Sequence, residues 1–298
     1  MRRTVLTFAL LAGGVAMASE QDKPQRPQPP PELFTRPIVY SVPGMDRAQV
    51  LRDRVYARPG GQELRMDVYV PAGLAAGARR PVVVFIHGGP LPPGADPSMP
   101  RPKDWALFRS YGELAAASGF VGVTFNHRLY SLEAFDDSAA DVQAAIEHVR
   151  ANAAELHVDP DRIAAWAFSG GGPLLAFAFR DAPPWLKAVV SYYAILDLPP
   201  QGTAPGASDR LSPVKHLKAS TGPVPPTFIA RAGIDSPAIS ESIEAFVAAA
   251  LQKNAMLELF TLPDSKHGFD LDMGDNNTPR SREAIARTVE FLKARLEP

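Results

Sequence analysis

A serine, an aspartate and a histidine each follow an apolar segment of this sequence, and together they have the makings of a nucleophilic site. Ser169 lies between the apolar run ending at Phe168 and three glycines, in the stretch WAFSGGG. Asp235 lies in RAGIDS and His267 in DSKHGFD. A hydroxyl becomes a nucleophile when an imidazole takes its proton and a carboxylate orients that imidazole. These residue types therefore allow attack on a carbonyl group.

The residues around Ser169 predict a sharp turn from a strand into a helix. Ala167 and Gly171, two positions before and two after, are both small, as a chain that turns back on itself requires. Such a turn exposes the hydroxyl above a helix N-terminus, whose free N–H groups stabilise negative charge. Taken alone, the pattern also fits a serine that caps a helix beside a glycine turn.

A second glycine motif offers donors for an oxyanion. FIHGGP follows the apolar residues 81–86, and its two glycines allow backbone N–H groups to turn into a site. We expect Gly88 and Gly89, together with Gly170, to form an oxyanion hole. His87 precedes the turn, and we interpret it as a residue that shapes this loop rather than as a catalytic base.

Strand-like and helix-like segments alternate along the chain. Residues 64–70 alternate apolar and polar side chains, whereas most of the later strand candidates are short apolar runs, as in a parallel sheet buried on both faces. This alternation predicts an α/β architecture with right-handed crossovers and helices on both faces. The later strand candidates are residues 81–86, 120–125, 162–168, 187–193, 226–232 and 256–263, and the helix candidates are 104–118, 137–154, 170–180, 237–253 and 281–296.

The helix over residues 137–154 shows the clearest periodicity. Its apolar side chains recur at spacings of four, three and four between residues 142 and 153, which gives one apolar stripe. Ser138 and Asp141 form a candidate capping box at its start.

In such sheets, ligands bind at the carboxyl ends of the strands, where Ser169, Asp235 and His267 are all expected. In this order the motifs resemble those of the α/β-hydrolase superfamily. Within it they are most similar to serine esterases that have an H-G-G oxyanion loop, in the carboxylesterase, hormone-sensitive-lipase-like or dienelactone-hydrolase-like group. The resemblance implies a mostly parallel twisted central sheet of about eight strands with helices on both faces and a minimal lid. It covers residues 50–296 and rests on HGG at 87–89, HVDPDRIAAWAFSGGG at 157–172, LSPVKHL at 211–217, RAGIDS at 231–236 and HGF at 267–269.

The same resemblance implies a carboxylic ester hydrolase that works through an acyl-enzyme. Ser169 is then the nucleophile, His267 the general base and Asp235 the carboxylate that orients the imidazole. Ala167 replaces the first glycine of the usual G-x-S-x-G, and its methyl group still meets the requirement for a small residue. Dienelactone-hydrolase relatives that use cysteine are no mechanistic guide, because the nucleophile position holds serine.

Other acids and histidines compete for these roles. Asp197 follows the preceding strand, and Asp264 and Asp270 lie close to His267 in sequence. The remaining histidines show no H-x-x-x-H or H-E-x-x-H spacing and the chain has no cysteine, so neither a metal site nor another cofactor is expected. We interpret four histidines as structural or exposed: His127, His148, His157 and His216.

The sequence gives fewer indications of the substrate pocket than of the triad. Phe168, Trp105 and Phe269 are candidates for substrate contact, and core packing is the alternative for all three. Residues 90–103 are rich in proline and are expected to shape an entrance. Residues 194–223 leave room only for the minimal lid.

Composition and the first residues indicate an exported globular enzyme. The chain is 46% hydrophobic with a formal net charge of −1, which gives no reason to expect nucleic acid as a partner. Two arginines, 14 uncharged residues and AMA at 16–18 predict a secretory signal peptide over residues 1–18 and a periplasmic or secreted bacterial protein. The arginine pair leaves Sec and twin-arginine export open.

An uncut membrane anchor is the alternative, although the apolar run is shorter than the roughly 20 residues that span a bilayer. Residues 19–37 are then a proline-rich linker or wrapping arm, and residues 38–298 the hydrolase domain.

Two other functions stay open. Peptidases of this fold usually carry a gating domain, and the 37 residues before Ile38 are too few to build one. A non-catalytic binding scaffold would be expected to lack part of the triad, whereas all three positions are filled here. The expected partner is a small-molecule or carbohydrate ester, and the sequence does not indicate an oligomeric state.

Overall fold

The computed structural model describes residues 32–91 and 100–297, which all fall within one compact unit. The predicted signal peptide, residues 19–31 of the predicted linker and most of the predicted entrance segment lie outside the described residues. Within the rest of the linker, Glu32–Thr35 form a single helical turn. The Phe34 ring lies 5.2 Å from that of Trp105, so this part of the arm packs on the domain.

Within the described residues, eight strands form one mixed sheet. They are β1 (Gln49–Ala57), β2 (Leu64–Val70), β3 (Arg80–Ile86), β4 (Val121–Phe125), β5 (Val158–Phe168), β6 (Leu186–Tyr192), β7 (Thr227–Ile234) and β8 (Leu257–Lys266). Their order is β1-β2-β4-β3-β5-β6-β7-β8. The pairs β1–β2 and β2–β4 are antiparallel, and every other pair is parallel. The predicted sheet is therefore confirmed.

Helices cover both faces of this sheet. They are α1 (Glu32–Thr35), α2 (Ala106–Ala117), α3 (Phe135–Ala151), α4 (Ala176–Arg180), α5 (Ala207–Arg210), α6 (Pro213–Ala219), α7 (Pro237–Gln252) and α8 (Pro279–Leu296). Alternate residues of each central strand enter opposite cores, because successive side chains point to opposite faces. Val82 and Val84 pack in the core with α3, α6 and α7, while Val83 and Phe85 pack in the core with α2 and α8.

Three local features differ from the sequence-based expectation. Strand β1 was not predicted, because it is an edge strand whose residues are mostly half-buried or exposed and so lack an apolar run. The capping box at Ser138 and Asp141 is wrong, because α3 begins three residues earlier. The Ser138 hydroxyl donates instead to the carbonyl of Ala134, and Asp141 accepts from Arg128.

The predicted helix over residues 170–180 is α-helical only in its second half. Residues Ser169–Leu175 form a 3₁₀ turn that continues into α4. Pro173 lies inside this turn and cannot donate a backbone hydrogen bond, and glycines are poor helix formers. The tight turn keeps Ser169 at the end of β5.

No helix within the described ranges has both the length and the apolar content to cross a membrane.

Candidate active site

Ser169 occupies a strained turn directly after β5. Its φ of 52° lies in the left-handed region, which is uncommon for a residue with a side chain. A Cβ atom at Gly171 would lie 2.6 Å from the carbonyl oxygen of His87, so glycine is required where the turn passes the neighbouring loop. The turn therefore holds the serine in the conformation expected of a nucleophile at a strand-to-helix junction.

Ser169, His267 and Asp235 form a continuous hydrogen-bonded chain. His267 Nε2 lies 2.9 Å from Ser169 Oγ, and His267 Nδ1 lies 2.9 Å from Asp235 Oδ2. The carboxylate can only accept when ionised, so Nδ1 carries the proton and Nε2 is free to accept from the serine hydroxyl. The Asp235 side chain is 4% exposed and that of His267 40%, so the acid is shielded while the imidazole edge remains accessible.

Two strand ends bring these groups to Ser169. Asp235 directly follows β7 and His267 directly follows β8, which is the next strand in the sheet. The second oxygen of Asp235 accepts from the backbone N–H of Ser236 at 2.7 Å, which fixes the carboxylate. The chain of contacts matches the arrangement in which an acid orients an imidazole and the imidazole activates a hydroxyl.

Two of the three rival acids make hydrogen bonds away from His267. Asp197 Oδ1 accepts from the Ser212 hydroxyl at 2.6 Å. Asp270 is buried and accepts from two tyrosine hydroxyls, and Asp264 is an exposed residue of β8. Asp235 is thus the carboxylate that the fold places on His267.

The three glycines expected to form the oxyanion hole meet beside Ser169. A Cβ atom at Gly88 would lie 2.8 Å from Ser169 Cβ, and one at Gly170 would lie 2.1 Å from the Gly89 carbonyl oxygen. These distances are too short for a side chain at either position, so glycine is required at both. Main-chain N–H groups of such a glycine-rich turn are the kind of donor that stabilises an oxyanion on a substrate carbonyl.

Two stacked histidines support this glycine loop. His87 Nδ1 donates to the carbonyl of Gly88 at 2.7 Å, which agrees with its interpretation as a loop-shaping residue. The ring of His127 stacks on that of His87 with centroids 3.5 Å apart and an interplanar angle of 6°. His127 Nε2 in turn donates to the His87 carbonyl at 3.1 Å. His127 was interpreted as structural or exposed, and it is structural.

Burial keeps both of these rings neutral. It lowers the pKa of His87 to about 4 and holds the pKa of His127 well below its usual range, where the neighbouring His87 lowers it further. The contact between the two rings could have been foreseen only from strand order, because β3 and β4 are parallel neighbours and both histidines follow their carboxyl ends.

Comparison with known families agrees with this geometry. The dienelactone hydrolase family matches residues 127–296, which is more than half of the chain and includes Ser169, Asp235 and His267. The chain belongs to the dienelactone hydrolase family. A second family, BD-FAE, matches residues 66–180 of this dienelactone hydrolase family member and includes both glycine motifs.

Named esterases are among its relatives. Esterase LipQ of Mycobacterium tuberculosis (strain ATCC 25618 / H37Rv) is 27% identical over 267 residues, which cover 78% of this chain and 60% of LipQ. Carboxylesterase 3 of Homo sapiens is 34% identical over 122 residues, which cover 38% of this chain and 20% of that enzyme. The family member therefore spans less than two thirds of the length of these relatives.

Solved structures give fuller coverage. Thermogutta terrifontis esterase 2 phosphorylated by paraoxon has 26% sequence identity and a TM-score of 0.66, covering 87% of this chain and 97% of that one. The propionate-bound form of the same esterase has 26% identity and a TM-score of 0.66, with 86% and 98% covered. The α/β-hydrolase fold of serine esterases is thus common to both proteins.

The aromatic residues expected to contact substrate lie in the core of this family member. Phe168 is 2% exposed and Phe269 0% exposed, and both pack against Tyr192. Trp105 is 8% exposed and donates from its indole nitrogen to the Pro100 carbonyl. Core packing, the alternative for these three side chains, is what the burial supports.

The segment between β6 and β7 holds only the short helices α5 and α6, which agrees with a minimal lid. The described part of the chain has no group of three or more His, Asp or Glu side chains arranged to hold a metal ion.

Proposed function

We propose that this protein is a serine esterase that cleaves carboxylic esters through an acyl-enzyme intermediate. The observation that carries the proposal is the unbroken chain from Asp235 through His267 to Ser169, with 2.9 Å at each link. Its position beside the glycine backbones supports the two elements that acyl transfer needs, an activated nucleophile and donors for the oxyanion.

In the proposed acylation step, Ser169 Oγ attacks the ester carbonyl carbon while His267 Nε2 takes the hydroxyl proton. The carbonyl oxygen becomes an oxyanion that the N–H groups of Gly88, Gly89 and Gly170 stabilise. When the tetrahedral intermediate collapses, the C–O bond to the alcohol breaks and the imidazolium returns its proton to the departing oxygen.

Deacylation repeats this sequence with water as the nucleophile. His267 takes a proton from the water, the hydroxide adds to the acyl carbon, and Ser169 leaves with the proton returned to its oxygen. Asp235 holds the imidazole in one tautomer and stabilises its charged form in both steps. The acid product and the free enzyme result.

We further propose that the acyl group is short and that the alcohol part is a small molecule or a carbohydrate. The same Thermogutta terrifontis esterase 2 has been solved with propionate and with butyrate bound, which supports a short acyl chain by analogy. A panel of p-nitrophenyl esters of increasing acyl length, together with acetylated sugars, tests this choice. A preference for long acyl chains or for peptides would contradict it.

The test of the nucleophile is Ser169→Ala assayed on a short-chain p-nitrophenyl ester. We expect turnover to fall by a factor of about 10³ or more, because the remaining groups cannot form the acyl-enzyme. Thermal unfolding of the variant serves as the control for folding. Activity within about tenfold of the parent would rule out Ser169 as nucleophile.

We also propose that the protein is exported from a bacterial cell and that its first 18 residues are removed. The supporting observation is the basic start, apolar run and small-residue site in residues 1–18. Expression of the full chain in a bacterium, followed by N-terminal sequencing of the exported protein, should give Ser19 as the first residue. A protein that keeps its first 18 residues and stays in the cell would contradict this proposal.

A further inference from the structure

A buried carboxylate outside the triad lies three residues after His267. Asp270 is 0% exposed. The Tyr111 hydroxyl donates to its Oδ2 at 2.6 Å, and the Tyr193 hydroxyl donates to its Oδ1 at 2.7 Å. Only an ionised carboxylate accepts on both oxygens without having to donate, so this pair of donors suits the charged form.

Tyr193 joins this carboxylate to the imidazole of His267. The two rings have centroids 4.5 Å apart and an interplanar angle of 56°. Tyr193 follows β6 with φ 38°, in the left-handed region, and its backbone N–H donates to the carbonyl of Ala230 at 2.9 Å. Phe269 packs edge-on against the Tyr193 ring at 5.4 Å. The tyrosine is therefore held in an uncommon conformation that keeps its ring against His267.

This arrangement matters when His267 becomes positively charged. An aromatic ring attracts a cation placed near it, and a tyrosine whose hydroxyl donates to a carboxylate has a more electron-rich ring. When Asp270 is ionised, its charge adds a favourable interaction that solvent and salt screen only weakly, because the carboxylate is buried. Asp235 accepts from Nδ1 of His267, whereas the Tyr193 ring packs against the imidazole ring.

The titratable groups around Asp270 come from three parts of the fold. They are Tyr111 of α2, Tyr192 and Tyr193 at the end of β6, and His267 of its own loop. Burial raises the pKa of Asp270, and the two tyrosine hydroxyls and the charge on His267 oppose that rise. Burial also raises the pKa of all three tyrosines well above the usual value, so they stay protonated.

We propose that Tyr193 and Asp270 are positioning residues that stabilise the protonated imidazole of His267 during ester hydrolysis. This inference rests on the proposed function, in which His267 is the general base. It adds a second carboxylate that acts through an aromatic ring. The loop does not depend on the Asp270 side chain alone for its anchoring. The backbone carbonyl of Asp270 also accepts from the N–H of Val39 at 2.8 Å.

The experiment compares Tyr193→Phe and Asp270→Asn with the matched control Tyr111→Phe. Tyr111→Phe removes one hydrogen bond from the same carboxylate. The ring of Tyr111 packs on Phe85 and Trp166, so this variant leaves the link from Asp270 through Tyr193 to His267 intact. For each protein, NMR measures the titration of the His267 imidazole in the Ser169→Ala background. Steady-state kinetics measures kcat and KM against pH in the background with Ser169 present.

Removal of the negative charge or of its link destabilises the imidazolium, so the pKa of His267 should fall. We expect a fall of about half a pH unit or more in Tyr193→Phe and in Asp270→Asn, and less than about 0.2 unit in Tyr111→Phe. The acid limb of kcat/KM should move to lower pH by the same amount. The value of kcat should fall by about three- to tenfold with KM unchanged, since the interaction gains strength only in the transition state.

Two results would overturn the inference. The first is lower activity in Tyr193→Phe with the His267 titration unchanged, which would make the contact structural only. The second is an equal shift in Tyr111→Phe, which would exclude the route through Tyr193. The NMR titration of His267 does not depend on enzyme activity. If the parent protein proved inactive on esters, the proposed function would be contradicted, and the coupling of Asp270 to His267 could still be measured. If Asp270→Asn fails to fold, Tyr193→Phe alone decides.

Discussion

The stacked histidines beneath the glycine loop should make the folded protein sensitive to mild acid. The perturbation is a change from pH 7.5 to pH 5. His87 has a folded-state pKa of about 4, and the pKa of His127 also lies well below the ordinary value near 6.5. The unfolded chain therefore takes up protons at pH 5 that the folded chain does not.

The sign and size of the effect follow from this difference in proton binding. A histidine with a depressed folded-state pKa gives stability that is present above its unfolded pKa and is lost as the pH falls through the window between the two values. For His87 that window runs from about 6.5 down to about 4, and the loss at pH 5 is about 2 kcal/mol. His127 adds a further loss of the same sign, because burial and the neighbouring His87 hold its pKa well below the ordinary value.

The assay is urea unfolding of the parent and of His127→Gln at several values between pH 5 and pH 8. Glutamine keeps an N–H donor for the His87 carbonyl and carries no titratable group. On acidification to pH 5 the variant should lose less free energy of unfolding than the parent does, because it lacks the histidine whose protonation only the unfolded chain tolerates. Above pH 7.5 the difference between the two proteins should be constant, which is the internal control.

Equal pH dependence of unfolding in the parent and in His127→Gln would refute this reasoning. It would mean that the His127 ring accepts a proton in the folded protein as readily as in the unfolded chain. The glycine loop would then not rest on two stacked histidines that are both neutral in the folded protein.

Two further predictions concern the site itself. Asp235→Asn should lower kcat by a factor of about 10³ to 10⁴, because the imidazole of His267 loses the partner that fixes its tautomer. The control Asp197→Asn should keep kcat within about tenfold of the parent. A reversed ranking of the two variants in steady-state kinetics would reassign the acid of the triad. Gly170→Ala should lower kcat/KM by about 100-fold or more because its Cβ atom would lie 2.1 Å from the Gly89 carbonyl oxygen. Gly222→Ala, where no atom lies within 4 Å, is the matched control, and equal activity of the two variants would contradict this account of the loop.

Buried parallel strands were predictable because burial on both faces leaves an unbroken apolar run in the sequence. Strands β3 to β7 were therefore predicted with their ends shifted by only a few residues. The edge strand β1 has no such run, since its side chains are largely half-buried or exposed. The start of α3 was misplaced because Ser138 and Asp141 match a local capping pattern, while their actual partners are the Ala134 carbonyl and the Arg128 side chain.

The site was predictable to the extent that its residues stand next to strand ends. Ser169, Asp235 and His267 each follow a strand directly, so the topology of a parallel sheet brings them together. The contact of Tyr193 with His267 depends on an uncommon backbone angle. The burial of Phe168 depends on which side of the sheet the last strand residue faces. Neither the Tyr193 contact nor the burial of Phe168 can be predicted from the neighbouring residues in the sequence.

Reaction of the purified protein with paraoxon, followed by peptide mapping in a mass spectrometer, tests the central claim most directly. An organophosphate reacts with a hydroxyl only when a base and an oxyanion site activate it. We expect a phosphoryl adduct on Ser169 alone, loss of ester hydrolysis in proportion to labelling, and no adduct in Ser169→Ala. Full hydrolytic activity in a protein labelled at Ser169, or an inactivating adduct on another residue, would contradict the account.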